Sequence, residues 1–412
     1  GGNLTVTAGS NVSLIGDARI GLNSYTSSGT DVYSNHSSTT YSTRIDLNSS
    51  VSNSSSSSSF NSSWSSNSNF SMAAVNLTAT NGTVALTGFL DIGGNLTVKA
   101  SSISLENGVR VGLSSYTDNG FEIYANNSGA TSVNGTLSNS TFSNSSNSTW
   151  NSTSNFSSSS VNLTTTHGSV GLAGFLNAGG NLTITSGLNI SLGGYARIGS
   201  ISETHTGNST GSNVDGNYTN TNSVGKSTSS FSQGSVNLNA TNGAVALTGS
   251  LDSGGNLTVT ARSDITLGVH VGSNTSHYTY YPDLKIGLNS INSTANNSGY
   301  FEKYSFSGGA ANIASTNGSI DAGAIITGGN LTINAGSNVS LVRPIYFGIN
   351  QYSSTFTSND QYTSNATASG GSISITSDGN PSNNFSGVLS ADGRLTLNPN
   401  INAIPMCVTE PN

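Results

Sequence analysis

Gly1-Gly-Asn-Leu-Thr-Val-Thr-Ala-Gly-Ser-Asn-Val-Ser-Leu14 opens on a phrase that returns at Gly93, Gly179, Gly254 and Gly328. The returns read Asn95-Leu-Thr-Val-Lys, Asn181-Leu-Thr-Ile-Thr, Asn256-Leu-Thr-Val-Thr and Asn330-Leu-Thr-Ile-Asn. A partner phrase precedes each return: Asn76-Leu-Thr-Ala-Thr-Asn-Gly, Asn162-Leu-Thr-Thr-Thr-His-Gly, Asn237-Leu-Asn-Ala-Thr-Asn-Gly, and a looser version at Asn312. From partner to main phrase the interval is 19, 19, 19 and 18 residues. A near-constant interval carrying short strands and Gly-Asn turns marks a solenoid that adds one coil per interval.

Within each phrase every second residue is apolar, the period of a half-buried strand. The residues expected to point inward are Leu4, Val6, Leu14, Leu77, Val84, Leu86, Leu96, Val98, Leu182, Ile184, Leu257, Val259, Leu331 and Ile333. The core is therefore narrow, a set of apolar files along one axis. The composition agrees: only 7% of residues are charged, against about 25% in ordinary globular proteins. Ser, Thr, Asn and Gly replace them. With a net charge of -7 over 412 residues, this surface has little grip on nucleic acid or anionic lipid. No apolar run reaches the roughly 18 residues that span a bilayer. Cys407 stands alone, which excludes an intrachain disulfide. The chain starts inside a repeat without Met, and is read as a fragment or a processed C-terminal portion.

Main phrases lie 92, 86, 75 and 74 residues apart, and the variation falls in polar stretches at about 24–75, 114–161, 199–236 and 271–311. Several begin with Gly and reach an aromatic: Gly21-Leu-Asn-Ser-Tyr25, Gly112-Leu-Ser-Ser-Tyr116 and Gly348-Ile-Asn-Gln-Tyr352. They are read as extra coils in the shorter units and looser loops in the first two. Five of the six prolines lie from Pro344 onward, and paired strands exclude Pro. Residues 1–341 are thus expected to form the repeat solenoid, and 342–412 degenerate terminal coils with a tail.

The phrase Gly-Gly-Asn-Leu-Thr-Val-Thr-Ala-Gly-Ser-Asn-Val-Ser-Leu resembles the repeats of filamentous haemagglutinin-like exoproteins of Gram-negative two-partner secretion systems. That resemblance covers the five paired coils and implies a right-handed parallel β-helix displayed outside the cell as an adhesin. It also implies an outer-membrane transporter partner. The expected fold is all-β: one right-handed β-solenoid with polar insertions, of about 15 to 20 coils and roughly 70 to 100 Å.

Asn3, Asn95, Asn181, Asn256 and Asn330 recur at one corner, as in an Asn ladder bonding each coil to the next. The insertions hold dense Asn-x-Ser/Thr acceptors, among them Asn61, Asn139, Asn144, Asn147, Asn151 and Asn155. High-molecular-weight adhesins in the resembling family carry sugars on such residues; composition alone also yields them. Candidate glycan contacts are Tyr25, Tyr33, Tyr116, Tyr124, Tyr280 and Tyr304, where rings amid amides and hydroxyls suit sugars. The alternative is that these rings cap the apolar files.

Outward pairs such as Thr5 and Thr7 suggest an ice- or mineral-binding face, interrupted at Lys99 and Asn334. The acids look scattered, with Asp17–Arg19 and Glu106–Arg110 read as surface pairs. A polysaccharide-degrading enzyme needs clustered carboxylates, so a non-catalytic reading stands first. His36, His167, His205, His270 and His277 share no repeat position. No cofactor or metal is expected; partners would be a host or neighbouring-cell glycan or protein, with self-association left open.

Overall fold

The computed structural model describes residues 2–44, 49–133, 136–214, 217–268, 283–286, 288–296, 299–341, 345–357, 362–368, 370–377, 384–385, 389–390 and 394–397. Every helix or strand assigned among them is a strand. One coil shows the plan. Leu96–Ala100 forms its first side, and Ser102–Val111 supplies the second and third, bending at Asn107, whose φ is +73°. Leu96 pairs in parallel with Val75 one coil before and Val161 one coil after. This first side is a parallel ladder of 11 strands, from Leu4–Ala8 to Arg394–Leu397. The other two sides are parallel ladders as well: Val84–Ile103–Val170 runs along one, Leu90–Val109–Leu176 along the other.

Alternation in the sequence becomes files in space. Leu77, Leu96, Val98, Leu182, Ile184, Leu257, Val259, Leu331 and Ile333 are all 0% exposed, each stacked on its equivalent one coil away. Leu4, Val6 and Leu14, in the first described coil, are only partly buried against this core. Burying such a side chain is worth about 1.5–3 kcal/mol, so the files are the main cohesive element.

The insertions are neither coils nor loose loops. Each is an antiparallel pair of strands: Leu22–Arg44 with Ser49–Phe70, Leu113–Val133 with Thr136–Phe156, Ser200–Val214 with Asn217–Phe231, Leu288–Asn296 with Gly299–Phe306, and Ile349–Thr357 with Tyr362–Ala368. Neighbouring pairs join edge to edge, giving one antiparallel sheet of 10 strands that projects from the solenoid like a fin. Tracts such as Ser54–Ser59 explain the outcome, since with no apolar residue at either parity they cannot fill a coil's interior. Hence among the described residues the rod holds 11 rungs on its first side, spanning roughly 48 Å, fewer than the 15 to 20 coils expected. The fifth hairpin and a further strand of the first side, Ser372–Ser377, follow Leu341.

The fin tapers. Its first strand has 23 residues and its last has 7.

Gly-Gly-Asn is built by this junction. A Cβ on Gly93 would lie 1.8 Å from the Ser71 carbonyl oxygen, and one on Gly179 1.8 Å from that of Ser157. Both carbonyls belong to chain returning from the hairpin beneath. Gly93→Ala or Gly179→Ala should therefore destabilise by about 1–3 kcal/mol, whereas Gly9→Ala, where nothing lies within 4 Å, should stay within about 0.5 kcal/mol. Thermal unfolding of the three variants checks this.

Candidate functional site

The fin leaves the solenoid at a glycine. Gly21, Gly112, Gly199 and Gly348 all have positive φ, at 87°, 82°, 80° and 62°, a region that only glycine enters cheaply. The turn folds the outgoing strand back over the third side of the coil. Residues two before and four after the glycine then face each other. Arg19 lies over the Tyr25 ring at 5.3 Å and Arg110 over Tyr116 at 4.7 Å. Arg197 Nη1 is 3.1 Å from Glu203 Oε1, and the rings of Tyr346 and Tyr352 are 5.2 Å apart.

Stacking turns these positions into two facing rows. On the coil side the row reads Arg19, Asp91, Arg110, Asn177, Arg197, Asp252, Lys285, Ile326, Tyr346. On the fin side it reads Tyr25, Ser68, Tyr116, Ser154, Glu203, Ser229, Ile291, Tyr304, Tyr352. Asp91, Glu203 and Asp252 are therefore gathered in these rows while Asp17, Asp31, Asp264 and Asp321 lie elsewhere, and the pairs Asp17–Arg19 and Glu106–Arg110 are corrected. Asp91 takes a bidentate bond from Arg110 at 2.7 and 2.8 Å, with Arg19 at 3.8 Å. Asp17 instead accepts the Phe89 amide, and Glu106 the Ser104 hydroxyl.

A second, deeper cluster surrounds Asp252, which is 1% exposed. It accepts the Tyr195 hydroxyl and lies 3.7 Å from Arg197 and 3.5 Å from Lys285. Burial, and next the Asp252 charge, push the Tyr195 phenol well above its ordinary pKa. Burial opposes the Arg197 cation, yet Tyr195, Glu203 and Asp252 outweigh it and raise its pKa. His205, one step further out on the fin, is lowered by burial against the pull of Glu203. At the exposed end a cleft of about 340 Å³ is lined by Asp17, Arg19, Phe89, Asp91, Arg110, Tyr116 and Phe175.

Beyond the wedge the same fin face continues outward. Its next-but-one row reads Gly29, Trp64, Gly120, Trp150, Gly207, Gly225, Ala295, Tyr300. The indoles lie over their glycine neighbours: a Cβ on Gly120 would meet Trp64 at 1.7 Å, and one on Gly207 would meet Trp150 at 2.2 Å. Laying a ring over a sheet glycine restores the packing the glycine lacks. Both indoles keep a free side, at 39% and 44% exposure. Four residues further along the strands, Tyr33, Phe60 and Tyr124 form another row, Tyr33 and Phe60 with centroids 4.7 Å apart.

Of the proposed glycan contacts, Tyr25, Tyr33 and Tyr124 are exposed and Tyr116 lines the cleft. Tyr304 is only 3% exposed, within a small apolar cluster with Ile291, Phe306 and Tyr352, so it caps apolar surface instead. Tyr280, like His270 and His277, lies outside the described residues. Asn3, Asn95, Asn181, Asn256 and Asn330 each accept, through Oδ1, the backbone amide of the next coil at 2.8 to 2.9 Å. They sit on alternate coils and so do not touch one another. Asn61, Asn147, Asn151 and Asn155 are exposed on the opposite face of the fin; Asn139 and Asn144 lie on the same strand as the last three.

Sequence reasoning missed Trp64 and Trp150 as a site, and missed the charged row. Arg19-Ile-Gly21, Arg110-Val-Gly112, Arg197-Ile-Gly199 and Lys285-Ile-Gly287 carried the signal for the second. Among the described residues no cluster of three or more His, Cys, Asp or Glu side chains could hold a metal ion. No family model matches this chain, and comparison with curated proteins and with solved structures gives no match.

Asp252→Asn should cost about 3–5 kcal/mol, as expected when buried cations lose their partner; exposed Glu106→Gln should stay within about 0.5 kcal/mol. Denaturant midpoints compare them. The raised phenol of Tyr195 makes a second prediction. Its contribution is fully present below about pH 10, the unfolded tyrosine value, and is lost as pH rises through the folded value. The midpoint should therefore fall above about pH 10, and less steeply in Tyr195→Phe.

Proposed function

We propose that this protein is a non-catalytic, extracellular solenoid that contacts host or neighbouring-cell surfaces through its fin, as an adhesin or structural filament. The observation that carries this reading is that the insertions form one continuous sheet, with Trp64, Trp150, Tyr33 and Tyr124 gathered exposed on a single face. The coils are committed to stacking, whereas the fin varies in length without disturbing the ladder, and binding residues favour such excursions. The resemblance to filamentous haemagglutinin-like repeats supports display at a bacterial surface and export through an outer-membrane partner. It also supports right-handed winding, the hand preferred by parallel crossovers. Exposed Asn147, Asn151 and Asn155 could carry glycans on the other face, and an intact mass equal to the bare polypeptide would exclude that.

A polysaccharide-degrading enzyme is the competing reading, since Asp91, Glu203 and Asp252 share one wedge. Each is already engaged by Arg, Lys, Asn or Tyr, and general acid–base catalysis needs a carboxyl that reaches substrate.

Removing residues 22–70 tests the adhesin reading. Ser71 N donates to Gly21 O at 2.7 Å, so the ends already meet, and alternate coils make this turn without a hairpin. The variant should keep its solenoid, read by circular dichroism and an unchanged unfolding midpoint, while attachment to glycan-bearing cells drops severalfold. Unchanged attachment by a folded variant would reduce the fin to a spacer.

A further inference from the structure

The two indoles are neither at random positions nor on loops. Trp64 and Trp150 occupy one cross-strand row, separated only by Gly120 on the strand between. Two strand spacings set them about 9.6 Å apart. Beyond Trp150, whose ring covers Gly207, the row continues through Gly225 and Ala295 with no side chain larger than a methyl until Tyr300. A Cβ on Gly225 would meet nothing within 4 Å. The result is a flat track running along the solenoid axis, across the fin strands.

Both borders of the track are polar. Ser66, Asp118 and Ser152 flank the indoles on the side nearer the solenoid, and Ser62, Glu122 and Ser148 on the other. A ligand here must present an apolar face to the rings and hydroxyls to both edges. It must also be flat and extended. A nucleic acid strand would meet Asp118 and Glu122, in a chain of net charge -7, and gains no counterion release from such a surface.

We infer that the row of Trp64 and Trp150 is a binding track for an extended, unbranched β-1,4-linked glycan. In such a ribbon successive pyranoses alternate by half a turn, so equivalent ring faces recur once per disaccharide, matching one indole per two strands. The axial C–H face stacks on the ring, and equatorial hydroxyls reach sideways to the serines and carboxylates. An α-1,4-linked chain coils and cannot lie along a flat row. The inference rests on the surface-contact reading above and narrows it to a ligand class.

The chain contains 2 Trp in all, so its tryptophan fluorescence reports on this track alone. Titration of the full chain with a β-1,4-linked glucose hexasaccharide should change that emission saturably. The α-1,4-linked isomer and a single-stranded DNA hexamer should not. Trp64→Ala and Trp150→Ala should each weaken binding at least tenfold by calorimetry. Gly225→Leu fills space where a Cβ would meet nothing within 4 Å; it should weaken hexasaccharide binding severalfold and leave a β-1,4-linked trisaccharide unaffected.

An equal response to both glucose isomers, or to DNA, overturns the inference. So does an unchanged emission, or a Trp64→Ala variant that binds normally. If attachment to cells survives those outcomes yet still depends on residues 22–70, the adhesin reading stands and the track alone falls. If neither glycan nor cells are bound, both fall.

Discussion

The hydrogen-bond spacing between neighbouring strands governs this molecule twice. Coils stack in parallel and fin strands pair antiparallel, and both do so at about 4.8 Å. Hairpins leave every second coil, so their origins lie two spacings apart. A hairpin is itself two strands wide. The fin can therefore close its ladder without gaps only because the coil pattern alternates, with one hairpin-bearing coil followed by one that turns through Gly-Gly-Asn. A hairpin on every coil would overcrowd the fin, and one on every third would leave strand edges open, with the aggregation risk of unpaired edges.

That alternation was legible in the sequence as the two kinds of phrase, and so were the solenoid and its inward files. Leu96, Val98, Leu182 and Ile184 announced themselves because burial on one side forces a period of two. The fin was not legible for the same reason inverted. Tracts such as Ser54–Ser59 carry no apolar period, so neither strand nor partner is specified by side-chain pattern. What specifies the fin is register inherited from the coils: Leu113 pairs with Phe156 because Gly112 and Ser157 are already held together by a 2.6 Å hydrogen bond. From that clamp the pairing propagates outward, one residue against the next.

The candidate site was hidden by the same distance. Trp64 and Gly120 are remote in the chain, and nothing local in either says that one ring lies over the other. The charged row was nearer to view, since Arg19, Arg110, Arg197 and Lys285 stand two residues before their glycines. Asp91 and Asp252 had an evident turn-like role before Gly-Gly, which masked their part as counter-ions. Along the wedge the filling changes from Arg, Asp and Tyr at the first hairpins to Ile291, Phe306, Ile326 and Tyr352 at the last. Long hairpins leave near the charged end, short ones near the apolar end. Both fillings serve to hold the fin against the third side of the coil.

For the surface contact proposed above, this arrangement answers a problem that loops pose for recognition. Ordering a loop on binding consumes free energy that would otherwise appear as affinity. Trp64 and Trp150 instead stand on strands bonded on both sides, Ser49–Phe70 between its partner and Leu113–Val133, and Thr136–Phe156 between Leu113–Val133 and Ser200–Val214. Their rings are held down by glycines that leave no alternative surface to pack on, and their spacing is fixed by the backbone ladder. A neutral, weakly apolar sheet could not hold such geometry alone, because Ser and Asn contribute little burial. It holds because each strand pair is rooted in a buried file of Leu, Val and Ile, so the stability of the core is carried outward through hydrogen bonds to a surface that has little of its own.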